Sequence, residues 1–214
     1  MFKEYRRRNR RRLTVGWVRV AVVLAGMTSL ALPLSASADE QAFSNLPAAK
    51  QTTLGLYVTA REAYELWQAD PGQVKIVDVR TPEEFIFVGN PEMAWKIPVA
   101  AQMDQWDAEK QQFPMQMLPD FVQRMRKVAE PDDTLLIMCR SGGRSAIAAN
   151  LLAEAGYTQV YSIIDGMEGD PVKDPNSVFR GKRLVNGWKN SGLPWTFGID
   201  PQRMVLPATN SGGN

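Results

Sequence analysis

The chain has 214 residues, with 25 Lys or Arg against 23 Asp or Glu and a formal charge of +2. It contains no histidine and a single cysteine, Cys139, which excludes Ser-His-Asp hydrolysis, Cys-His proteolysis and His-ligated metal sites and leaves no disulfide partner within the chain. Residues 1–38 hold eight of the basic residues and one of the acidic ones, so the remaining 176 residues carry 17 basic against 22 acidic side chains. That acidic balance gives no basic patch of the kind nucleic-acid binding needs.

Residues 1–38 have the order of a signal peptide. Lys3, Arg6, Arg7, Arg8, Arg10, Arg11 and Arg12 form a basic run, Val20 to Leu34 is apolar apart from Thr28 and Ser29, and Ala36-Ser37-Ala38 precedes Asp39 as a small-residue cleavage site. The apolar core is short of the roughly 20 residues of a membrane span. A cleaved signal is therefore expected, with a periplasmic or secreted product that has no membrane attachment after cleavage. Residues 39–53, polar and alanine-rich without a period, are expected as a linker.

From there the chain alternates strand and helix patterns. Leu56-Tyr57-Val58 reads as a short strand, and Thr59 with Glu62 forms a capping box that opens a helix to about Gln68. Val74 to Arg80 is too continuously apolar for a half-exposed strand, so a central parallel strand is predicted. Thr81-Pro82-Glu83-Glu84 starts the next helix with an N-cap, a proline in the first turn and a capping glutamate. Ile97-Pro98-Val99 is expected as a strand, Pro119 to Val128 as a helix, Thr134 to Met138 as a second central strand, and Gln159 to Ile163 as the last strand. The helix after Cys139 carries Ile147, Ala148, Leu151, Leu152 and Ala155 on one stripe and stops at Gly156. Arg183 to Trp195 reads as a final helix packed against the domain. Strands alternating with helices imply an α/β fold of three layers, a mainly parallel sheet with helices on both faces. The expected domain spans residues 54–192, followed by an extended tail, 193–214. In such sheets ligands bind beyond the carboxyl ends of the strands.

Cys139 lies at one of those ends. The segment Cys139-Arg140-Ser141-Gly142-Gly143-Arg144 follows an apolar strand and opens a helix. The amides of Arg140, Ser141, Gly142 and Gly143 can turn inward around the sulfur because glycine accepts backbone angles other residues resist. The helix dipole and the two arginines add positive charge, and each of these favours thiolate over thiol. Without histidine, activation of the cysteine has to be electrostatic. A six-residue loop also makes a narrower ring of amides than a tetrahedral oxyanion needs.

The C-x4-R spacing of Cys139 and Arg144 resembles the rhodanese family of sulfurtransferases, whereas the related phosphatases and arsenate reductases use C-x5-R. The resemblance continues in Asp78-Val79-Arg80-Thr81-Pro82-Glu83-Glu84-Phe85, in Gly89 with Ile97-Pro98, and in Ala155-Gly156-Tyr157 followed by Asp165-Gly166-Met167-Glu168-Gly169. Three positions depart from the family pattern. Asn90 replaces a usual histidine, Glu92 to Trp95 is an insertion, and Met167 replaces the second glycine of a closing pair; together they put the pocket rim and substrate identity in question. The resemblance implies a single-domain rhodanese-like sulfurtransferase that needs no metal or cofactor. Cys139 would carry the sulfur as a persulfide, and Arg140, Ser141, Gly142, Gly143 and Arg144 would hold the substrate. A donor such as thiosulfate and an acceptor such as cyanide, a small thiol or a protein cysteine are the implied partners. The alternatives are a non-catalytic persulfide carrier and an oxyanion enzyme of the phosphatase or arsenate-reductase type. Asp78 and Arg80 are expected in structural support, Asp78 bonding loop amides or an arginine and Arg80 pairing with Glu84.

Overall fold

In the computed structural model, the described part of the chain is residue 43 and residues 45–208; the expected signal peptide and residues 209–214 of the expected tail lie outside it. Seven strands are present, β1 (Tyr57–Val58), β2 (Val74–Asp78), β3 (Trp95–Lys96), β4 (Ala100–Gln102), β5 (Met115–Met117), β6 (Thr134–Met138) and β7 (Val160–Ile163). Four α-helices accompany them, α1 (Ala60–Ala69), α2 (Pro82–Val88), α3 (Phe121–Met125) and α4 (Gly143–Glu154). Five strands form one sheet in the order β1-β7-β6-β2-β3, every pair parallel. The expected α/β class is therefore observed. Among the described residues no helix is long and apolar enough to cross a membrane.

The sheet is a middle layer because its central strands are apolar on both faces. Along β6, Leu135 and Ile137 enter one core with Phe121, Met125, Ala148, Ala149 and Leu152, while Leu136 and Met138 enter the other with Ala60, Ala63 and Trp188. That alternation is the two-residue period of a strand. Burying each large apolar side chain contributes about 2 kcal/mol, and Leu135, Leu136 and Ile137 are all fully buried. β6 pairs with β2 from Val74↔Thr134 to Asp78↔Met138, so Asp78 and Cys139 emerge side by side at the same edge of the sheet.

Helix starts follow the capping residues. Thr59 and Thr81 each accept a bond from the amide three residues on, and Glu62 and Glu84 return one to the cap. Helix α4 ends where Gly156 takes φ +95°, the left-handed turn that favours glycine.

Three expectations are corrected. Ile97-Pro98-Val99 is not a regular strand; β3 and β4 lie on either side of it. The Ile97 and Val99 amides still bond to Asp78 and Val79, but Pro98 has no N–H with which to continue a ladder. The helix predicted over 119–128 is confined to Phe121–Met125. Arg183 to Trp195 is mostly turns and bends, because Gly187 sits at φ +95°, outside the helical region, and so near the Gly169 backbone that a Cβ would strike it.

The flanking segments lie against the domain. Lys50, from the expected linker, donates to the Ile164 carbonyl at 2.9 Å. In the expected tail, Asn90 and Thr196 form an antiparallel bridge. Met204 bridges Lys96 in parallel fashion and the Val205 amide bonds to the Lys96 carbonyl. Residues 204–205 thus cover the β3 edge, which would otherwise expose unpaired backbone groups.

Candidate active site

Cys139 follows the last residue of β6 and is 2% exposed. Its sulfur accepts the Gly142 amide at 3.2 Å. The loop is shaped from behind by residues that follow β7. The Met167 amide donates to the Cys139 carbonyl at 2.8 Å and the Glu168 amide to the Arg140 carbonyl at 2.9 Å. With these carbonyls pinned on one side, the next peptides turn their N–H groups the other way. The amides of Arg140, Ser141, Gly143 and Arg144 donate to no protein group among the described residues. Unpartnered amides on both sides of a sulfur-bound one, at a helix N-terminus, can form a nest for a negatively charged atom.

Two glycines make this packing possible. Gly142 has φ +101°, and a Cβ there would strike the Ile164 carbonyl. Gly166 has φ +60°, and a Cβ there would strike the Cys139 carbonyl and the peptide of Arg140 and Ser141.

The two loop arginines differ. Arg140 is exposed and has no carboxylate partner among the described residues. Arg144 is held by Glu84 with both prongs of its guanidinium, Nη1 to Oε2 at 2.6 Å and Nη2 to Oε1 at 2.7 Å. Burial opposes both charges. For Arg144 the Glu84 contact, with smaller contributions from Cys139 and Asp78, outweighs burial and raises the guanidinium pKa further above the ordinary arginine value. For Glu84 the reciprocal contact and the Thr81 amide outweigh burial and hold the carboxyl below its ordinary 4.5.

Asp78 and Arg80 pair with each other. Both side chains are fully buried, Arg80 Nη2 lies 2.6 Å from Asp78 Oδ2, and the same nitrogen donates to the Gly89 carbonyl at 2.7 Å. The Arg80 amide also donates to Asp78 Oδ1 at 3.1 Å. The expected Arg80–Glu84 pair is therefore corrected: Glu84 pairs with Arg144, 60 residues away, and Arg80 turns back to Asp78. Lys96, in register with Asp78, is fully buried; burial lowers its pKa and the Asp78 charge only partly offsets that.

Two of the departures from the family pattern, Asn90 and Met167, point inward. Asn90 is buried, with Nδ2 donating to the Thr196 and Gly198 carbonyls, both at 3.2 Å. Met167 is buried in the core with Trp188, and the inserted Trp95 begins β3. Asp165 accepts the Ala60 amide at 2.8 Å and the Gly187 amide at 2.9 Å. Burial raises its pKa more than those amides lower it.

A parallel sheet whose central strand runs into a cysteine, a glycine turn and a helix defines an α/β protein with a cysteine loop at the carboxyl end of the sheet. A family model for the rhodanese-like domain matches residues 59–169, just over half of the chain. The chain belongs to that family, which places it among proteins of the sulfurtransferase or sulfur-carrier type. It is 33% identical over 124 residues to "Uncharacterized protein RP600" of Rickettsia prowazekii (strain Madrid E), covering 57% of this chain and 82% of that protein. It is 26% identical over 186 residues to rhodanese-like domain-containing protein 4, chloroplastic, of Arabidopsis thaliana, covering 86% of this chain and 32% of that one. The crystal structure of Rv0390 from M. tuberculosis superposes with a TM-score of 0.51 at 28% identity, covering 66% of this chain and 96% of that one.

Sequence reasoning did not find the roles of Glu84 and of the Ile164–Glu168 backing. Glu84 was visible as a helix cap and as an expected partner of Arg80, not as the partner of Arg144. Gly166, quoted as part of a closing motif, carried the one available signal that a backbone approaches closely there.

Proposed function

We propose that the protein is an exported sulfurtransferase of the thiosulfate type, with Cys139 as its nucleophile and residues 140–144 as its substrate cradle. The Cys139 thiolate attacks the outer sulfur of thiosulfate. The S–S bond of the donor breaks, sulfite leaves with the electron pair, and Cys139 holds a persulfide. An acceptor nucleophile such as cyanide, a small thiol or a protein cysteine then attacks the outer sulfur and releases the thiolate. No proton is removed in the transfer itself, which suits a chain without histidine. The free amides and the Arg140 side chain receive the terminal sulfur and the anionic end of the donor, while Asp78 and Arg80 support the neighbouring strand end.

The observation that carries this reading is the Gly142 amide bonded to the Cys139 sulfur, flanked by loop amides that have no protein acceptor among the described residues. Oxyanion chemistry finds less support. Glu84 is engaged by Arg144 and Asp165 by two amides, which leaves neither free to protonate a leaving alcohol. Export rests on the basic, apolar and small-residue order of residues 1–38, and an N-terminus beginning at Asp39 in the secreted or periplasmic fraction is its test.

Activity is tested by thiosulfate:cyanide turnover. The parent should form thiocyanate, and Cys139→Ser, in which an oxygen cannot form the persulfide, should retain less than about 1% of the rate while staying folded. Persulfide formation without turnover would assign the carrier role. Cys139-dependent hydrolysis of an aryl phosphate would overturn both.

A further inference from the structure

Arg144 ends the C-x4-R loop, yet the Nη1–Nη2 fork of its guanidinium is already occupied. Both of its forked nitrogens lie on Glu84, at 2.6 and 2.7 Å, with 14% and 18% of the two side chains exposed. The forked match of guanidinium to carboxylate is the geometry by which arginine also grips phosphate or another tetrahedral oxyanion. An arginine so held cannot offer that fork to a ligand. Glu84 is itself fixed, since Oε2 accepts the Thr81 amide at 3.0 Å and the Glu84 amide points at the Thr81 hydroxyl. Helix α2 therefore presents the carboxylate to the loop as a rigid part of its first turn.

We propose that Glu84 is a selectivity residue: by occupying the Arg144 fork it keeps tetrahedral oxyanions out of the Cys139 loop and reserves the loop for donors whose reacting end is a bare sulfur atom. The proposal rests on the sulfurtransferase reading and deepens it. A sulfane donor places a single sulfur among the amides and leaves its charged group at the mouth, where exposed Arg140 stands. A phosphate-like ligand has to place its oxygens against the inner arginine, where the Glu84 carboxylate already sits. Rejection here comes from an occupied partner and a fixed negative charge, a repulsive element rather than a missing attraction.

The test uses the full chain and two alkylating probes of similar size, anionic iodoacetate and neutral iodoacetamide, with vanadate as competitor. Glu84→Gln keeps the helix cap, which accepts either residue, and removes the charge and one half of the forked pair. The ratio of iodoacetate to iodoacetamide rates at Cys139 should rise at least about threefold, and vanadate protection should strengthen. A role limited to holding the loop together would change both rates alike and leave the ratio where it was. Adding Arg144→Gln to Glu84→Gln should return the ratio to the parent value or below. A parent-like ratio in Glu84→Gln, or a raised ratio that survives loss of Arg144, overturns the proposal. Should Glu84→Gln not fold, Glu84→Asp is read instead: its shorter side chain reaches one guanidinium nitrogen at most, a raised ratio supports the proposal and an unchanged one overturns it. The underlying sulfurtransferase reading fails in a different way, by the absence of a thiosulfate-dependent sulfur adduct on the parent Cys139, whatever the ratio.

Discussion

Strands β2 and β6 are parallel neighbours that end at the same edge of the sheet, and each delivers a reactive residue type followed by arginine. β2 ends in Asp78, with Arg80 two residues on; after β6 come Cys139 and Arg140. The first pair is sealed. Both side chains are fully buried and bonded to each other, so the charges cancel where they stand. The second is open: Arg140 is exposed, Arg144 is matched by Glu84, and of the loop amides only that of Gly142 has a protein acceptor, the Cys139 sulfur. Position at a strand end thus makes a site possible. Whether the local charges and amides find partners inside the protein decides if the result is a brace or a cradle.

The comparison is broken most severely at the sealed end. Asp78→Ala strips the buried Arg80 of its partner, and an uncompensated buried charge costs about 3–5 kcal/mol. The urea midpoint should fall accordingly, and thiosulfate transfer should fall with the folded fraction. Parent-like stability would show that the pair does not brace the sheet edge. Gly142→Ala acts on the loop itself. It places a Cβ against the Ile164 carbonyl at φ +101°, a position where roughly 2 kcal/mol of strain or more is expected. Transfer should drop further than stability, because the amide that bonds the sulfur moves with the strain; equal drops in both would remove the loop's special status. The mildest change is at the open end. Arg140→Ala should leave the urea midpoint within about 0.5 kcal/mol of the parent and raise the KM for thiosulfate about two- to fivefold, as for an exposed charge contact. A loss of stability instead of affinity would make Arg140 a second brace.

The open end was the more legible of the two in the sequence. Its signal is local: an apolar run, one cysteine, two glycines and a helical stripe lie within 20 residues of each other. The threonine caps of α1 and α2 were equally local and equally readable. What escaped were partners set by the fold. Arg80 is four residues from Glu84 and looked like its partner, but parallel pairing of β2 and β6 brings Arg144 to Glu84 and leaves Arg80 to Asp78. The β4–β5 hairpin carried no signal because its strands are three residues each and β5 is exposed throughout. The segment 183–195, read as a helix, forms turns instead. The contact of Gly187 with Gly169 that forbids the helix is made only in the folded chain.

The central claim is that Cys139 is the atom that takes sulfur. The most direct measurement is the intact mass of the protein after brief incubation with thiosulfate, followed by mapping of the modified peptide. The account predicts a gain of one sulfur atom, about 32 Da, on the peptide containing Cys139, removed by cyanide or a small thiol as expected of a persulfide cap and absent in Cys139→Ser. An unmodified Cys139 in folded, reduced protein exposed to excess thiosulfate would contradict it.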